Sequence, residues 1–319
     1  MKRRAFIMLL GAAGWPLAAR GQPVKVPVIG ILLTGNPEPD IFLKGFREAL
    51  WETGYIDGQN VRLEVRSAEA RTALLPERAA ELVRLKVDVI VTSLTPPALA
   101  AKQATSDIPI VMAPAGDPVL TGLVASLARP GGNVTGVSAA SAEIAGKSLE
   151  LIREVIPSAR RVAVLANEAD PFSKPFVEQI AEGARTLGIE VEPVLTGLES
   201  PLEAVFQAFD GKQIDALIVQ GGMLRKDIFD LAIEHRLPSF SSNRQVALAG
   251  GLMTYAASAT EVHRAAAGYV DKILKGGRPA DLPVALPAKF ELTVNLNTAK
   301  AIGLKVSLPL LSRADEVIQ

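Results

Sequence analysis

Hydrogen-bonding side chains, rather than nucleophiles or metal ligands, dominate the loops of this 319-residue chain. Short polar clusters follow apolar runs at Thr34-Gly35-Asn36, Thr92-Ser93-Leu94-Thr95-Pro96, Ala115-Gly116-Asp117, Asn167 to Phe172, Gly221-Gly222-Met223 and Ser241-Ser242-Asn243. Such residues offer hydroxyls, amides and backbone N–H groups to a bound molecule, and they also make turns. Reaction chemistry is harder to assemble. The two histidines, His235 and His263, have no second histidine or cysteine at ligand spacing, which argues against zinc. The chain has no cysteine, so disulfides and thiolate catalysis are excluded. It also lacks a Gly-x-Ser-x-Gly elbow, a Walker loop and a Gly-x-Gly-x-x-Gly fingerprint. Glu143, Glu150 and Glu154 are spaced as solvated helix positions. No catalytic residue, metal or cofactor is expected. Phe172, Phe240 and Tyr255 lie near strand ends, where a ring either stacks on a ligand or packs in the core.

The elements that must position these loops alternate. Residues 26–33 form a continuous apolar run, as in a strand buried on both faces of a parallel sheet. Asp40 is placed to cap a helix with Phe42, Phe46, Ala49 and Leu50 on one face, stopped at Gly54. Val61, Leu63 and Val65 alternate with charged residues, as in a more exposed strand. A helix near 76–85, a strand at 87–91, a helix at 98–104 and a strand at 108–112 complete the series. The same grammar returns from Arg161, with strands at 161–166, 191–195, 215–219 and 237–240 and a helix ending at Gly188. Two successive βαβαβ halves predict an α/β protein of two doubly wound lobes with parallel sheets. Right-handed crossovers gather the polar loops at the carboxyl edges of the strands, where the two lobes face each other across a crevice.

The amino terminus reads as an export signal. Lys2-Arg3-Arg4 precede an apolar run about half the roughly 20 residues that span a bilayer, and Ala19 and Gly21 are small residues at cleavage spacing. Arg3-Arg4 fits either the general secretory route or a twin-arginine address. Loss of residues 1–21 removes four of 34 basic residues and none of the 34 acidic ones, for a net charge of about −4. That balance excludes a nucleic-acid or anionic-membrane footprint.

Several segments resemble ABC-transporter substrate-binding proteins of the TrpX-like type. They are Gly54-Tyr55-Ile56-Asp57-Gly58-Gln59-Asn60-Val61, Ile108 to Val111 with Gly116-Asp117-Pro118, Leu127 to Ser138, Phe290 to Ala299, and Arg313 to Ile318. The resemblance spans the mature chain in order. It implies a type I periplasmic-binding-protein fold, with two Rossmann-like lobes joined by three crossovers. Near Ser138–Ala142, Gly251–Ala256 and Leu286–Phe290 the chain should cross. The domains expected are a signal peptide (1–21), lobe 1 (22–139 plus 252–286) and lobe 2 (140–251 plus 287–319). The helix from Thr260 to Leu274 should then pack on lobe 1.

The resemblance implies a receptor that closes on a small molecule and hands it to an inner-membrane ABC permease with its ATPase; with the export signal, the expectation is a periplasmic monomer. The ligand implied is an aromatic or branched amino acid, or a related organic acid. A ligand-sensing subunit of a membrane signalling system is the nearest rival; an exported α/β enzyme is a more distant one. Many relatives carry an acidic residue after the segment matching Thr135 to Ser138, suited to a ligand ammonium; here Ala139-Ala140 follow. Asp117 either replaces that acid or caps the turn after it. The site expected comprises Thr34, Asn36, Ser93, Thr95, Pro96, Gly116, Asp117, Ser138, Asn167, Phe172, Gly221, Phe240, Ser241 and Tyr255.

Overall fold

The apolar runs become the central strands of two sheets because only there are both faces of a strand covered. The computed structural model describes residues 26–35 and 39–319. The first sheet is built from β1 (Val28–Leu33), α1 (Pro39–Glu52), β2 (Arg62–Ser67), α2 (Leu75–Arg84), β3 (Val89–Ser93), α3 (Thr95–Ala104), β4 (Ile110–Ala115) and β5 (Val134–Ser138). Its five strands are parallel, in the order β2-β1-β3-β4-β5. β2, with its alternating charges, takes one edge. α1 begins at Pro39, so Asp40 falls inside the helix rather than ahead of it. β5 carries no strong apolar run and depends on a glycine. Gly136 has φ +126°, and a Cβ there would stand 2.4 Å from the Met112 carbonyl oxygen on β4.

The chain then passes through α4 (Ser141–Val155), β6 (Arg161–Asn167), α5 (Ser173–Thr186), β7 (Glu190–Thr196), α6 (Glu203–Lys212), β8 (Ala216–Val219), α7 (Lys226–Glu234), β9 (Ser239–Ser241), α8 (Arg244–Leu248) and β10 (Met253–Ala257). It finishes with α9 (Ala259–Leu274), β11 (Phe290–Asn295), α10 (Leu296–Ile302), α11 (Leu308–Leu311) and β12 (Glu316–Ile318). The second sheet has seven strands in the order β12-β11-β10-β9-β8-β6-β7. It is parallel except for β10 against β11, a departure from the all-parallel sheet expected.

β10 also corrects a boundary. Assigning residues from 252 onward to the first lobe would place this strand there. Instead, Met253 and Thr254 pair with Phe240 and Ser241 of β9, and Tyr255 pairs with Leu292 of β11. The chain leaves the second sheet only after Ala257. α9 then lies on the first sheet, where Val262, Ala266, Val270 and Ile273 join the core of Ile29, Ile31, Phe46 and Val91. Val137 bridges Ala285 before the chain returns to β11. The connections between the sheets therefore run at 138–141, 257–259 and 285–290.

Candidate functional site

A cavity of about 430 Å³ lies between the two sheets and is lined from both. From the first sheet come Ser93 at the end of β3, Leu94 and Thr95 at the start of α3, and Gly116 just past β4. Second-sheet loops supply Asp170, Phe172, Gln220, Gly221, Ser242 and Asn243. The connections add Ala139, Ser141 and Ala257. α1 and α9 close one side with Phe42, Gly45, Val262 and His263.

Several wall residues are held in place by local constraints. Thr95 is buried, and its Oγ1 accepts the Gly116 N–H at 3.0 Å, tying the β3 and β4 loops together. Leu94 has φ 75° and ψ 166°, a region essentially reserved for glycine, so the wall stores backbone strain at this point. The Phe172 ring crosses the gap to the first sheet's loops. A Cβ on Gly116 would stand 2.5 Å from two of its ring carbons.

The electrostatic centre is Asp170. Its Oδ1 accepts the Phe172 N–H at 2.9 Å, and its Oδ2 accepts a proton of the Gln220 side-chain amide at 2.9 Å. Gln220 is itself oriented, because its Oε1 accepts from the Asn167 N–H and the Ser173 hydroxyl, each at 2.9 Å. No cation among the described residues pairs with Asp170. Burial raises its pKa from 3.8 to about 6 against the lowering effect of those two hydrogen bonds. The other charged groups on the wall differ. Arg244 is bound by Glu316 through two contacts of 2.6 and 2.7 Å, Glu291 pairs with Lys289, and Lys44 and Glu48 are exposed.

Of the residues expected from sequence, Ser93, Thr95, Gly116, Phe172 and Gly221 line this cavity. Asn36 and the export segment lie outside the described residues. Thr34 and Ser241 are buried with hydroxyls lacking a partner, and they are not on the wall. Pro96 is buried in the first turn of α3, and Ser138 receives the Ala140 N–H. Asn167 supports Gln220 from behind. Phe240 belongs to the second sheet's core, and Tyr255 stacks on Phe290 with centroids 5.4 Å apart. Asp117 is a turn cap: its Oδ1 accepts the N–H groups of Val119 and Leu120 at 3.1 and 3.0 Å, and it is not on the wall.

Asp170 and His263 are the residues that sequence reasoning missed. The only signal for Asp170 was its place within a polar loop closing a buried strand. His235, the other histidine, contacts Asp210 at 3.0 Å. Among the described residues, no group of three His, Cys, Asp or Glu side chains is arranged for a metal, and no helix is long and apolar enough to cross a membrane.

The sequence model of the ABC transporter substrate binding protein family matches residues 25–318. The chain belongs to that family. A tyrosine-binding protein of Clostridioides difficile is 31% identical over 277 residues, or 86% of this chain and 79% of the relative. Among solved structures, a Streptococcus pneumoniae domain in complex with L-Trp is 27% identical, with a TM-score of 0.83, over 92% of this chain and 99% of that one. The ligand-free, open form of a Clostridium difficile substrate binding protein with adhesive properties is 28% identical. It gives a TM-score of 0.68 over 92% of this chain and 100% of that one. As a substrate-binding protein of this family, the chain is a small-molecule receptor that works with an ABC transporter.

Proposed function

We propose that this protein captures an α-amino acid between two lobes, closes on it by hinge motion, and delivers it to an inner-membrane ABC permease driven by its ATPase. The observation that carries this reading is Asp170. A carboxylate set in a cavity wall with only neutral donors around it is complementary to a ligand cation, because a buried charge needs a charged partner. A ligand ammonium supplies that partner. For the ligand carboxylate, the wall offers the Ser93, Ser141 and Ser242 hydroxyls. Ser141 also begins α4, whose first N–H groups have no side-chain cap. Phe172 and Phe42 supply apolar surface for an aromatic or branched side chain. An organic acid lacking an ammonium fits less well, since its anion would face Asp170.

The lobes in this reading are the first sheet with α9 and the second sheet with its helices, hinged at the three connections. The higher TM-score to the L-Trp complex than to the open relative, at nearly equal sequence identity, together with Phe172 against Gly116, supports a closed arrangement. The mature protein begins near Gln22, acts as a monomer in the periplasm, and binds without catalysis. A thermal-shift screen of amino acids and organic acids, followed by calorimetry of the hits, tests the assignment. Hits confined to acids without an amine would overturn it.

A further inference from the structure

The cavity reaches beyond the groups needed to hold an amino-acid head. Along its first-lobe side it runs between α1 and the start of α9, past Phe42, Gly45, Val262 and His263. His263 is only 8% exposed, yet neither ring nitrogen has a hydrogen-bond partner among the described residues. No protein group among the described residues takes up either nitrogen, so the ring on this wall is open to a partner that arrives with the ligand.

The ring is held in one orientation. Phe42 meets it edge-on, with centroids 5.0 Å apart and planes at 85°. α1 makes room for it with a glycine: a Cβ on Gly45 would stand 2.3 Å from Nδ1 and 2.7 Å from Cε1. The Nδ1–Cε1 edge therefore lies against α1, which leaves Nε2 as the nitrogen for a ligand.

We propose that His263 is a specificity-determining residue whose Nε2 forms one hydrogen bond to a neutral hydroxyl on the aromatic side chain of the bound amino acid. This inference rests on the amino-acid reading above and deepens it. Three features select that chemistry. The neighbouring wall at Phe42 and Val262 is apolar and suits a ring. Burial depresses the imidazole pKa from 6.5 to about 4, so at neutral pH the ring is uncharged and favours an uncharged partner. A hydroxyl can donate or accept, so it satisfies Nε2 in either tautomer. A phenyl ring without the hydroxyl would leave Nε2 unpaired, and sites built this way discriminate strongly against the analogue lacking the group.

The test is calorimetry of the purified mature protein with L-tyrosine, L-phenylalanine and O-methyl-L-tyrosine. Wild type should bind tyrosine roughly 10–100-fold more tightly than phenylalanine, the range of one well-made hydrogen bond. In His263→Leu that ratio should fall to within about threefold. A second measurement needs no variant. The chain has two histidines, so ¹⁵N-histidine NMR resolves each ring, and the His263 Nε2 signal should move on adding tyrosine but not phenylalanine. A tyrosine-to-phenylalanine ratio near one in wild type, a ratio preserved in His263→Leu, or an Nε2 signal indifferent to tyrosine would each overturn the role of His263 and leave the amino-acid reading standing. Binding of none of the three would overturn the role of His263, and the amino-acid reading would fall with it only if the wider screen returned no ligand bearing an amine.

Discussion

Replacing Asp170 with Asn should pull stability and binding in opposite directions at neutral pH. The folded-state pKa of Asp170 is raised from 3.8 to about 6, roughly two units. At about 1.4 kcal/mol per unit, the folded protein therefore forgoes up to about 3 kcal/mol by keeping this carboxylate ionised. Between the two values the native state binds more protons than the unfolded chain, so stability falls as pH rises through that window. The contribution is intact below about pH 4 and lost above about pH 6.

An Asn side chain does not titrate, but it carries a local cost. Its oxygen can still accept the Phe172 N–H, whereas its amide protons would face those of Gln220, whose own oxygen is committed to Asn167 and Ser173. That lost hydrogen bond costs about 1 kcal/mol. Urea unfolding of the unliganded proteins should therefore find Asp170→Asn about 1 kcal/mol less stable than wild type near pH 4 and about 2 kcal/mol more stable near pH 7. Binding should move the other way. Removing one member of a buried ion pair costs about 3 kcal/mol or more, so calorimetry at pH 7.5 should show affinity for the amino acid falling at least ~100-fold. Wild-type affinity should itself decline toward tenfold per pH unit below about pH 6, as the carboxylate is protonated. A variant whose stability follows that of wild type across this range, and whose affinity stays within threefold, would refute the assignment of Asp170 to the ligand ammonium.

Three further outcomes follow from the same geometry. Asp117→Ala should leave ligand affinity unchanged by calorimetry and cost about 1 kcal/mol in urea unfolding, because its carboxylate caps a turn away from the cavity. Gly116→Ala should weaken binding about tenfold or more and leave the liganded protein expanded in small-angle scattering, since the new methyl group meets the Phe172 ring at 2.5 Å and holds the lobes apart. Leu94→Gly should unfold at higher urea than Leu94→Ala, by about 1 kcal/mol, because only glycine occupies the backbone conformation found there without strain.

Local periodicity carried most of the fold. The apolar runs at β1, β3, β6 and β8 announce buried parallel strands, and the helical stripe of Val262, Ala266, Val270 and Ile273 announces α9. Strand β5 was less legible, because Gly136 interrupts its apolar pattern for the sake of close packing on Met112. The antiparallel β10–β11 pair was hidden for another reason. Strand direction depends on where the chain goes between strands, and α9 intervenes by packing on the other sheet.

The site divides along the same line. Loop composition was enough to bring forward Ser93, Thr95, Gly116, Phe172 and Gly221, since the carboxyl ends of parallel strands must face the crevice. It could not say which rings turn inward. Phe240 and Tyr255 sit one residue from polar neighbours, and the register of β9 and β10 sends both rings toward the core. Nor could it choose among acids. Asp117 and Asp170 both stand in polar loops beside prolines, but Asp117 finds N–H groups two and three residues away, whereas Asp170 meets Gln220 from the loop after β8, 50 residues on. His263 lies farther still from Phe42 and Gly45, which orient its ring. What the sequence determined by itself is what neighbouring residues can specify: period, turns, charge balance and the identity of the family. Which carboxylate stands without a cation on the cavity wall, and which imidazole shares that wall, only the tertiary structure decides, because those properties arise from burial and hydrogen bonds between segments far apart in the chain.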